Sequence, residues 1–495
     1  MSFKNEIKYD KTLNFSCIEL LKKFTVKELE GLTYFVECRY FNSDNYVIKL
    51  LNAIKLHILN KNNLKHKLYC NVYEKVFLEK IVGEDLNATQ KKRFNNKLNL
   101  LLRLAEEFLT VEALRDNTAY RSDLLYQKIL EKRQFKLFNR HVKRDKKHLE
   151  SQSKKDVRHY QYQHHIEKNV LDYVYLSGQL NVQDNLSELI YNIDIEFIIN
   201  KLSTYITQLY LEGATSKNYD VSSMEATLDL INLPQYARLP LIRIYLAAIH
   251  LAKAQNVTTY RELLALLDIH TEAISRKDLN GFYVVATNFC ARQIQSGRFD
   301  HSELFDLYKV MDEKNLLIEN YFIPVNKLRN VIAVGCRVNE FDWAMDTIEK
   351  YQPYVEKSVR KSVYHFNMGG VAFYQKDYKK ALHHFVRVES VNFNYDVNCR
   401  VVIMKAHYET DQEYDERTLQ IFRSTEKYFN ENTILTPKNK KAYKNFIRTL
   451  INVYRVRHRA TKMTLKSIKE KLERQEVNSD KKWLLEKIAA LESKR

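Results

Sequence analysis

Glycine and proline are scarce in this chain, whose 495 residues include only 9 Gly and 5 Pro. Tight turns and β-hairpins depend on both residues, because Gly adopts positive φ without strain and Pro presets the φ of a turn. A chain so poor in both is unsuited to a fold built from many strands. Hydrophobic residues make up 45% of the sequence, which is enough for folded cores and excludes global disorder. The sequence therefore predicts an all-α protein whose helices are joined by short polar connections.

Capping motifs predict where some of these helices begin. Thr25, Asn87 and Thr259 each stand three residues before a Glu or Gln, the spacing at which two side chains satisfy each other's backbone N–H groups. Apolar residues at helical spacing follow these positions and predict the buried faces. The same periodicity predicts one long helix over 121–149.

The segment 366–389 carries the clearest repeat-like pattern in the sequence. Two small residues, Gly369 and Ala381, lie twelve positions apart, and the aromatic residues Tyr378 and Phe385 accompany them. Small residues at this spacing allow two paired helices to approach closely, and the aromatic side chains fill the space around them. The pattern resembles the tetratricopeptide repeat, a family of stacked helical hairpins. This resemblance implies an α-solenoid of degenerate hairpins.

Weaker copies of the pattern flank this segment. Aligned on Tyr378, they centre on Phe341, 37 residues upstream, and on Tyr414, 36 residues downstream, with more distant copies at Phe299 and Tyr260. These spacings exceed the family's usual repeat of about 34 residues. We therefore expect the hairpins to splay more widely than those of a regular superhelix.

These patterns divide the chain into three predicted parts. An N-terminal helical region covers 1–212 and ends at a polar loop over 212–218. Tetratricopeptide-like repeats cover 219–437. Basic helices over 438–495 would form the polar-faced cap that a solenoid needs at its end.

A second resemblance concerns residues 28–42, Glu-Leu-Glu-Gly-Leu-Thr-Tyr-Phe-Val-Glu-Cys-Arg-Tyr-Phe-Asn. This stretch is similar to the opening of a group of uncharacterised bacterial helical proteins. The resemblance implies a bacterial helical protein and carries no known activity.

The tetratricopeptide resemblance also implies a binding surface. In that family, the first helices of successive hairpins line a concave groove that holds a peptide or a partner helix. The positions that would line this groove are Asn326, Arg329, Arg337, Phe366 and Phe373. Arginines beside aromatic side chains would suit an extended segment that carries carboxylates and an apolar anchor. The alternative is that Phe366 and Phe373 belong to the core between hairpins.

The formal charge of +19 is confined to two segments. Residues 128–158 hold 12 Lys/Arg against 4 Asp/Glu, a net charge of +8, and residues 438–495 hold 18 against 6, a net charge of +12. The first segment is predicted to form a basic helix that carries a candidate polyanion-binding patch. The candidate residues are Lys136, Arg140, Lys143, Arg144, Lys146 and Lys147. A solvated lysine-rich face is the alternative interpretation.

The sequence contains no motif for catalysis or cofactor binding. Glycine-rich phosphate loops, HExxH and GxSxG are all absent. The six cysteines are scattered, and the histidines at 159–165 and at 383–384 lack a further ligand at metal-binding spacing. We therefore predict no cofactor, no metal site and no small-molecule substrate. An enzyme with an unrecognised site in the N-terminal half remains an alternative.

The first residues lack the apolar core of a signal peptide. The longest apolar stretch, 239–252, is shorter than the roughly 20 residues of a membrane span. These features predict a cytoplasmic protein without a membrane segment. The leading hypothesis is a non-catalytic scaffold or adaptor that binds a partner peptide or helix. The alternative is a nucleic-acid- or polyanion-associated protein that acts through its two basic segments.

Overall fold

The computed structural model of the protein describes residues 16–59, 67–81, 85–178, 185–214, 219–220, 222–458, 461 and 463–493. These residues form 24 α-helices and two short 3-10 helices, and none of them belongs to a β-strand. Glu319 and Phe322 form an isolated antiparallel bridge within a turn. The prediction of an all-α protein is confirmed.

The described residues fall into two compact units. The first comprises those within Met1–Gln152 and Val157–Glu196, and the second those within Ser153–Asp156 and Phe197–Arg495. The polar loop predicted at 212–218 includes residues 215–218, which lie outside the described residues. Of the basic segment 438–495, residues 459–460, 462 and 494–495 lie outside them as well.

The first five helices of unit 1 share one hydrophobic core around the long helix α5. Their bounds are α1 Ser16–Leu21, α2 Val26–Glu37, α3 Asn45–Leu59, α4 Lys67–Phe77 and α5 Ala88–Asp116. Helices α1, α2 and α3 each pack against α5, and α4 packs against α3. Thr25 and Asn87 cap α2 and α5 with the reciprocal hydrogen bonds that the sequence predicts.

The next three helices of unit 1 pack on one another around a second core. Their bounds are α6 Thr118–Glu131, α7 Phe135–Glu150 and α8 Val157–Ser177. Arg133 has a φ of 52°, a left-handed conformation that separates α6 from α7. The prediction of one long helix over 121–149 is therefore wrong. The segment 128–158, predicted as a single basic helix, contains the end of α6, all of α7 and the start of α8.

The remaining helices follow one another through unit 2. Helix α9, Leu186–Ala214, contributes residues to both units. The others are α10 Ser222–Ile231, α11 Pro234–Ala237, α12 Pro240–Ala254, α13 Val257–His270, α14 Arg276–Gln295, α15 His301–Glu313, α16 Val325–Arg337, α17 Phe341–Tyr351, α18 Arg360–Tyr374, α19 Tyr378–Phe385, α20 Phe393–Thr410, α21 Glu416–Glu431, α22 Pro437–Arg457, α23 Leu465–Glu473 and α24 Lys481–Glu492, with 3-10 helices at Thr271–Ala273 and Gln352–Tyr354.

The predicted start of α13 at Thr259 is wrong. Helix α13 begins at Val257, and the side chain of Asn256 caps it by accepting the backbone N–H of Thr259 at 2.9 Å. Asn and Thr both cap helices, and the earlier of the two residues takes the position here.

Two helix pairs of unit 2 are joined by turns of the same geometry. Asn339 follows α16 with a φ of 64°, and Lys376 follows α18, 37 residues later, with a φ of 65°. In both turns the next residue donates its backbone N–H to the carbonyl five residues before it, at 2.9 Å. This left-handed C-terminal motif reverses the chain within three residues. Glycine usually occupies the left-handed position, as Gly297 does after α14, but Asn339 and Lys376 occupy it in these two turns.

Glycines allow close approach between the helices of these two pairs. A Cβ atom on Gly369 of α18 would lie 2.9 Å from Cε1 of Phe385 in α19. A Cβ atom on Gly335 of α16 would lie 3.0 Å from Cε3 of Trp343 in α17. Ala381, which accompanies Phe385 on α19, is fully buried.

Consecutive helices of this region pack against one another in chain order. Helix α16 packs on α17 and α18, α18 packs on α17 and α19, and the packing continues from α19 through α20 and α21 to α22. Helices α20–α24 share a single hydrophobic core.

Candidate functional site

The five predicted groove residues lie on the first helices of two successive hairpins. Asn326 and Arg329 lie in the first half of α16, and Arg337 is its last residue. Phe366 and Phe373 lie on α18, two turns apart. Helices α16 and α18 pack against each other, so all five side chains belong to one layer of the fold.

Phe366 is part of the packing between helices. Its side chain is 7% exposed, and its ring lies 5.8 Å from the ring of Phe385 and 4.6 Å from that of Tyr395. Phe373 is half-buried, with its ring 5.4 Å from the ring of Tyr378. Of the two residues, only Phe373 therefore has substantial surface to offer a partner.

Arg337 is exposed, but neighbouring side chains already hold its guanidinium. Nε donates to the hydroxyl of Tyr374 at 3.1 Å, and Nη1 lies 3.1 Å from Nε2 of His301. Burial together with the charge of Arg337 lowers the pKa of His301, so the imidazole is favoured in the neutral form that can accept this hydrogen bond. Arg337 thus links α16 to α15 and α18.

Arg329 differs from Arg337 because its guanidinium is only partly satisfied. It lies half-buried with Cζ 5.8 Å from the ring centre of Tyr395. Nε and Nη2 donate to the side chain of Asn330 at 3.3 and 3.0 Å, whereas the buried Nη1 has no hydrogen-bond partner in the described part of the chain. Burial lowers the pKa of Arg329, and no described carboxylate pairs with it.

A further buried polar atom near Arg329 lacks a partner among the described residues: Oδ1 of Asn326, one helical turn before Arg329. The side chain of Asn367 on α18 is buried as well. Tyr395 connects these groups, because its hydroxyl donates to the carbonyl of Val325 at 2.9 Å and its side chain also interacts with Asn367. Asn367 and Tyr395 could not be identified from the sequence, since neither belongs to a motif and Tyr395 lies 66 residues beyond Arg329.

We refer to Asn326, Arg329 and Phe373, together with the buried side chains of Asn367 and Tyr395, as the α16/α18/α20 face. Each buried donor or acceptor without a partner destabilises the unbound protein by about 1–3 kcal/mol. A guanidinium hydrogen-bonds most strongly to carboxylates and phosphates. The face can therefore bind a polar or anionic group next to aromatic side chains, and it contains no nucleophile paired with a base.

The six candidate residues of the polyanion patch divide into two groups on α7. Arg144 Nε donates to Asp145 at 2.8 Å, and Lys146 Nζ lies 2.5 Å from Oε1 of Glu167 on α8. Both carboxylates are buried, so these two cations neutralise charges in the core of unit 1. The other four candidates are exposed and make no ion pair with a described residue: Lys136, Arg140, Lys143 and Lys147.

Three of the histidines singled out by the sequence lie against an acid or another histidine. His164 Nδ1 lies 3.1 Å from Glu196, and His165 Nδ1 lies 3.5 Å from Asp123. His365 and His384 approach each other at 3.1 Å through their Nδ1 atoms. The described residues contain no group of three or more side chains arranged to hold a metal ion.

No helix in the described ranges combines the length and the apolar character needed to cross a membrane. Comparison of the chain with protein-family models, with curated proteins and with solved structures finds no match.

Proposed function

We propose that the protein is a non-catalytic scaffold whose unit 2 is a solenoid of tetratricopeptide-like hairpins, and that it binds a partner segment on the α16/α18/α20 face. The hairpin part of this proposal rests on repetition. The turns after α16 and α18 share their backbone geometry at a separation of 37 residues, the spacing at which the sequence pattern repeats. In each pair a glycine of the first helix also lies against an aromatic ring of the second helix, with the glycines 34 residues apart and the rings 42 residues apart.

The binding part of the proposal rests on Arg329. A half-buried guanidinium has lost part of its hydration, and in a fold without a bound partner a carboxylate usually compensates it. Here Nη1 is buried with no partner among the described residues, while Arg337 and Lys327 on the same helix are engaged by their neighbours. This contrast within one helix is the observation that most supports a binding role.

The chemistry of the face indicates the kind of partner. A carboxylate of the partner would accept hydrogen bonds from Arg329, and the amide of Asn326 would bond to the partner's backbone. Phe373 offers a half-buried ring for an apolar side chain. We therefore propose an extended peptide segment that carries an acidic residue close to an apolar one.

A quantitative pull-down tests this function. The tagged full-length protein, its Arg329→Gln variant and an Arg417→Gln variant would each be recovered from native cells, and co-purifying proteins would be measured by mass spectrometry. Arg417 is an exposed arginine on α21, a second helix of a hairpin, so it controls for loss of one positive charge. We expect at least one protein to be depleted tenfold or more with Arg329→Gln and to be unchanged with Arg417→Gln.

The opposite result is equally clear. If the protein recovers the same partners in the same amounts with all three baits, the α16/α18/α20 face is not the binding surface. Circular dichroism of the purified variants would show whether each remains folded.

A further inference from the structure

The exposed cations of α7 lie in a single line along the helix. Lys136, Arg140, Lys143 and Lys147 are separated by four, three and four residues, which is the spacing of one stripe on an α-helix. With a rise of 1.5 Å per residue, the stripe is about 16 Å long. We refer to these four residues as the α7 stripe.

The buried residues of α7 follow the same spacing on the opposite face. They are Phe138, Val142, Asp145 and Leu149. A shift of two residues rotates a helix by about 200°, so the α7 stripe points directly away from the core. The ring of Phe138 stacks on Tyr173 at 5.3 Å, and Asp145 accepts hydrogen bonds from Tyr126 at 2.6 Å and from Ser122 at 3.1 Å. These contacts set the rotation of α7 about its axis and hence the direction of the stripe.

Internal charge pairing does not explain the α7 stripe. The two acidic residues of α7 are Asp145, which is buried, and Glu150, the last residue of the helix. Like charges four residues apart on a helix repel each other, and each such pair destabilises the helix by about 0.2–0.5 kcal/mol. The stripe contains two such pairs, so its charges slightly destabilise α7, whereas the buried residues of the helix stabilise it.

The surroundings of the α7 stripe favour a nucleic acid over other anionic partners. None of the large hydrophobic side chains of α7 is exposed, whereas helices that bind membrane surfaces insert such side chains between the lipids. Protein interfaces are rich in aromatic residues and arginine and depleted in lysine, but three of the four stripe residues are lysines. Phosphates follow one another about every 3.4 Å along each strand of a duplex, so the stripe can face about five of them.

We infer that the α7 stripe binds the phosphate backbone of a nucleic acid without regard to sequence. This site lies in unit 1 and does not depend on the function proposed for unit 2. Four phosphate contacts give a slope of log K against log salt of about −3.6 for a duplex and about −2.8 for a single strand. Nonspecific binding of this kind is weak at physiological salt, with Kd of about 10⁻⁴ to 10⁻⁶ M.

The test measures binding of the full chain to a fluorescent 25-base-pair DNA duplex over a range of salt concentrations. The stripe variant carries Lys136→Gln, Arg140→Gln, Lys143→Gln and Lys147→Gln. Gln and Lys have similar helix propensities, so α7 remains helical, which circular dichroism verifies. A control variant removes four exposed lysines from the other basic segment: Lys438, Lys441, Lys466 and Lys471, each to Gln. A second control changes the three stripe lysines to Arg.

We expect the stripe variant to bind at least tenfold more weakly at low salt and to lose most of the salt dependence. The Arg variant should keep the affinity and the salt dependence of the native protein. The affinity of the C-terminal variant should stay within about threefold of the native value. An unchanged slope in the stripe variant would overturn the inference. So would an equal loss in the two Gln variants, because it would show that total charge alone matters. Tighter binding to phosphatidylserine vesicles or to polyglutamate than to DNA would overturn it as well.

Discussion

Two adjacent glycines of α18 provide a direct test of how its hairpin is packed. A Cβ atom on Gly369 would lie 2.9, 3.0 and 3.1 Å from three ring carbons of Phe385, whereas a Cβ atom on Gly370 would meet nothing within 4 Å. Both glycines occupy the interior of the same helix. Replacing each with Ala therefore gives two variants that share the gain in helix propensity and differ in packing.

The expected magnitudes follow from these distances. Ala is favoured over Gly in a helix interior by about 0.5–1 kcal/mol, so Gly370→Ala should raise the free energy of unfolding by that amount. Carbon atoms in contact prefer a separation of about 3.5–4.0 Å, so Gly369→Ala forces the ring of Phe385 to move. The ring is 2% exposed and packs against Phe366, and overpacking of this kind costs about 1–3 kcal/mol. We expect Gly369→Ala to be less stable than Gly370→Ala by about 1–3 kcal/mol.

Urea unfolding followed by circular dichroism measures this difference. Because the chain has two compact units, hydrogen exchange of peptides from α18 and α19 would locate the change within unit 2. The double variant Gly369→Ala/Phe385→Leu removes part of the ring and should recover some of the loss, which a double-mutant cycle detects. Equal stabilisation by both alanines would refute the close approach of α18 and α19 at Gly369.

Two further predictions concern backbone strain and a buried charge. Lys376→Gly should stabilise the protein by about 0.5–1 kcal/mol, because glycine adopts the positive φ of this position without strain. Gln375→Gly is the control, since Gln375 has a φ of −70° and gains nothing from glycine. Urea unfolding measures both changes. Burial alone would raise the pKa of Asp145, but hydrogen bonds from Arg144 and Tyr126 outweigh it and hold the pKa below its ordinary value. The ionised carboxylate therefore stabilises the fold fully above about pH 4, and this contribution is lost as the pH falls through the folded-state pKa. Asp145→Asn should lower the free energy of unfolding by about 1–3 kcal/mol at pH 7. Between pH 5 and pH 3 the free energy of unfolding of this variant should fall less than that of the native protein. Parallel curves of unfolding free energy against pH for the two proteins would contradict this prediction.

The helical fold could be predicted from the sequence because its signals are local. Scarcity of Gly and Pro excludes most strand-and-turn architectures, and the capping residues Thr25 and Asn87 act on backbone groups three residues away. The break at Arg133 gave no such signal. In a chain with so few glycines, Arg, Asn and Lys occupy left-handed positions, so no glycine marks these turns in the sequence.

The candidate sites were less predictable because they depend on contacts that are distant in sequence. Lys146 looks like the rest of the basic patch, and only the fold pairs it with the buried carboxylate of Glu167 on α8. Arg329 and Arg337 likewise looked equivalent in the sequence. Whether a neighbour satisfies each guanidinium depends on Tyr374, His301 and Tyr395, which lie on three other helices.

Photo-crosslinking in cells tests the proposed binding face most directly. A photoreactive phenylalanine analogue would replace Phe373 on α18 or, as a control, Lys379 on α19, the second helix of the same hairpin. We expect irradiation to attach a partner protein at position 373 and not at 379, and we expect Arg329→Gln to abolish the adduct. An absence of adducts at 373, or the same adduct at both positions, would contradict the proposal that this face binds a partner.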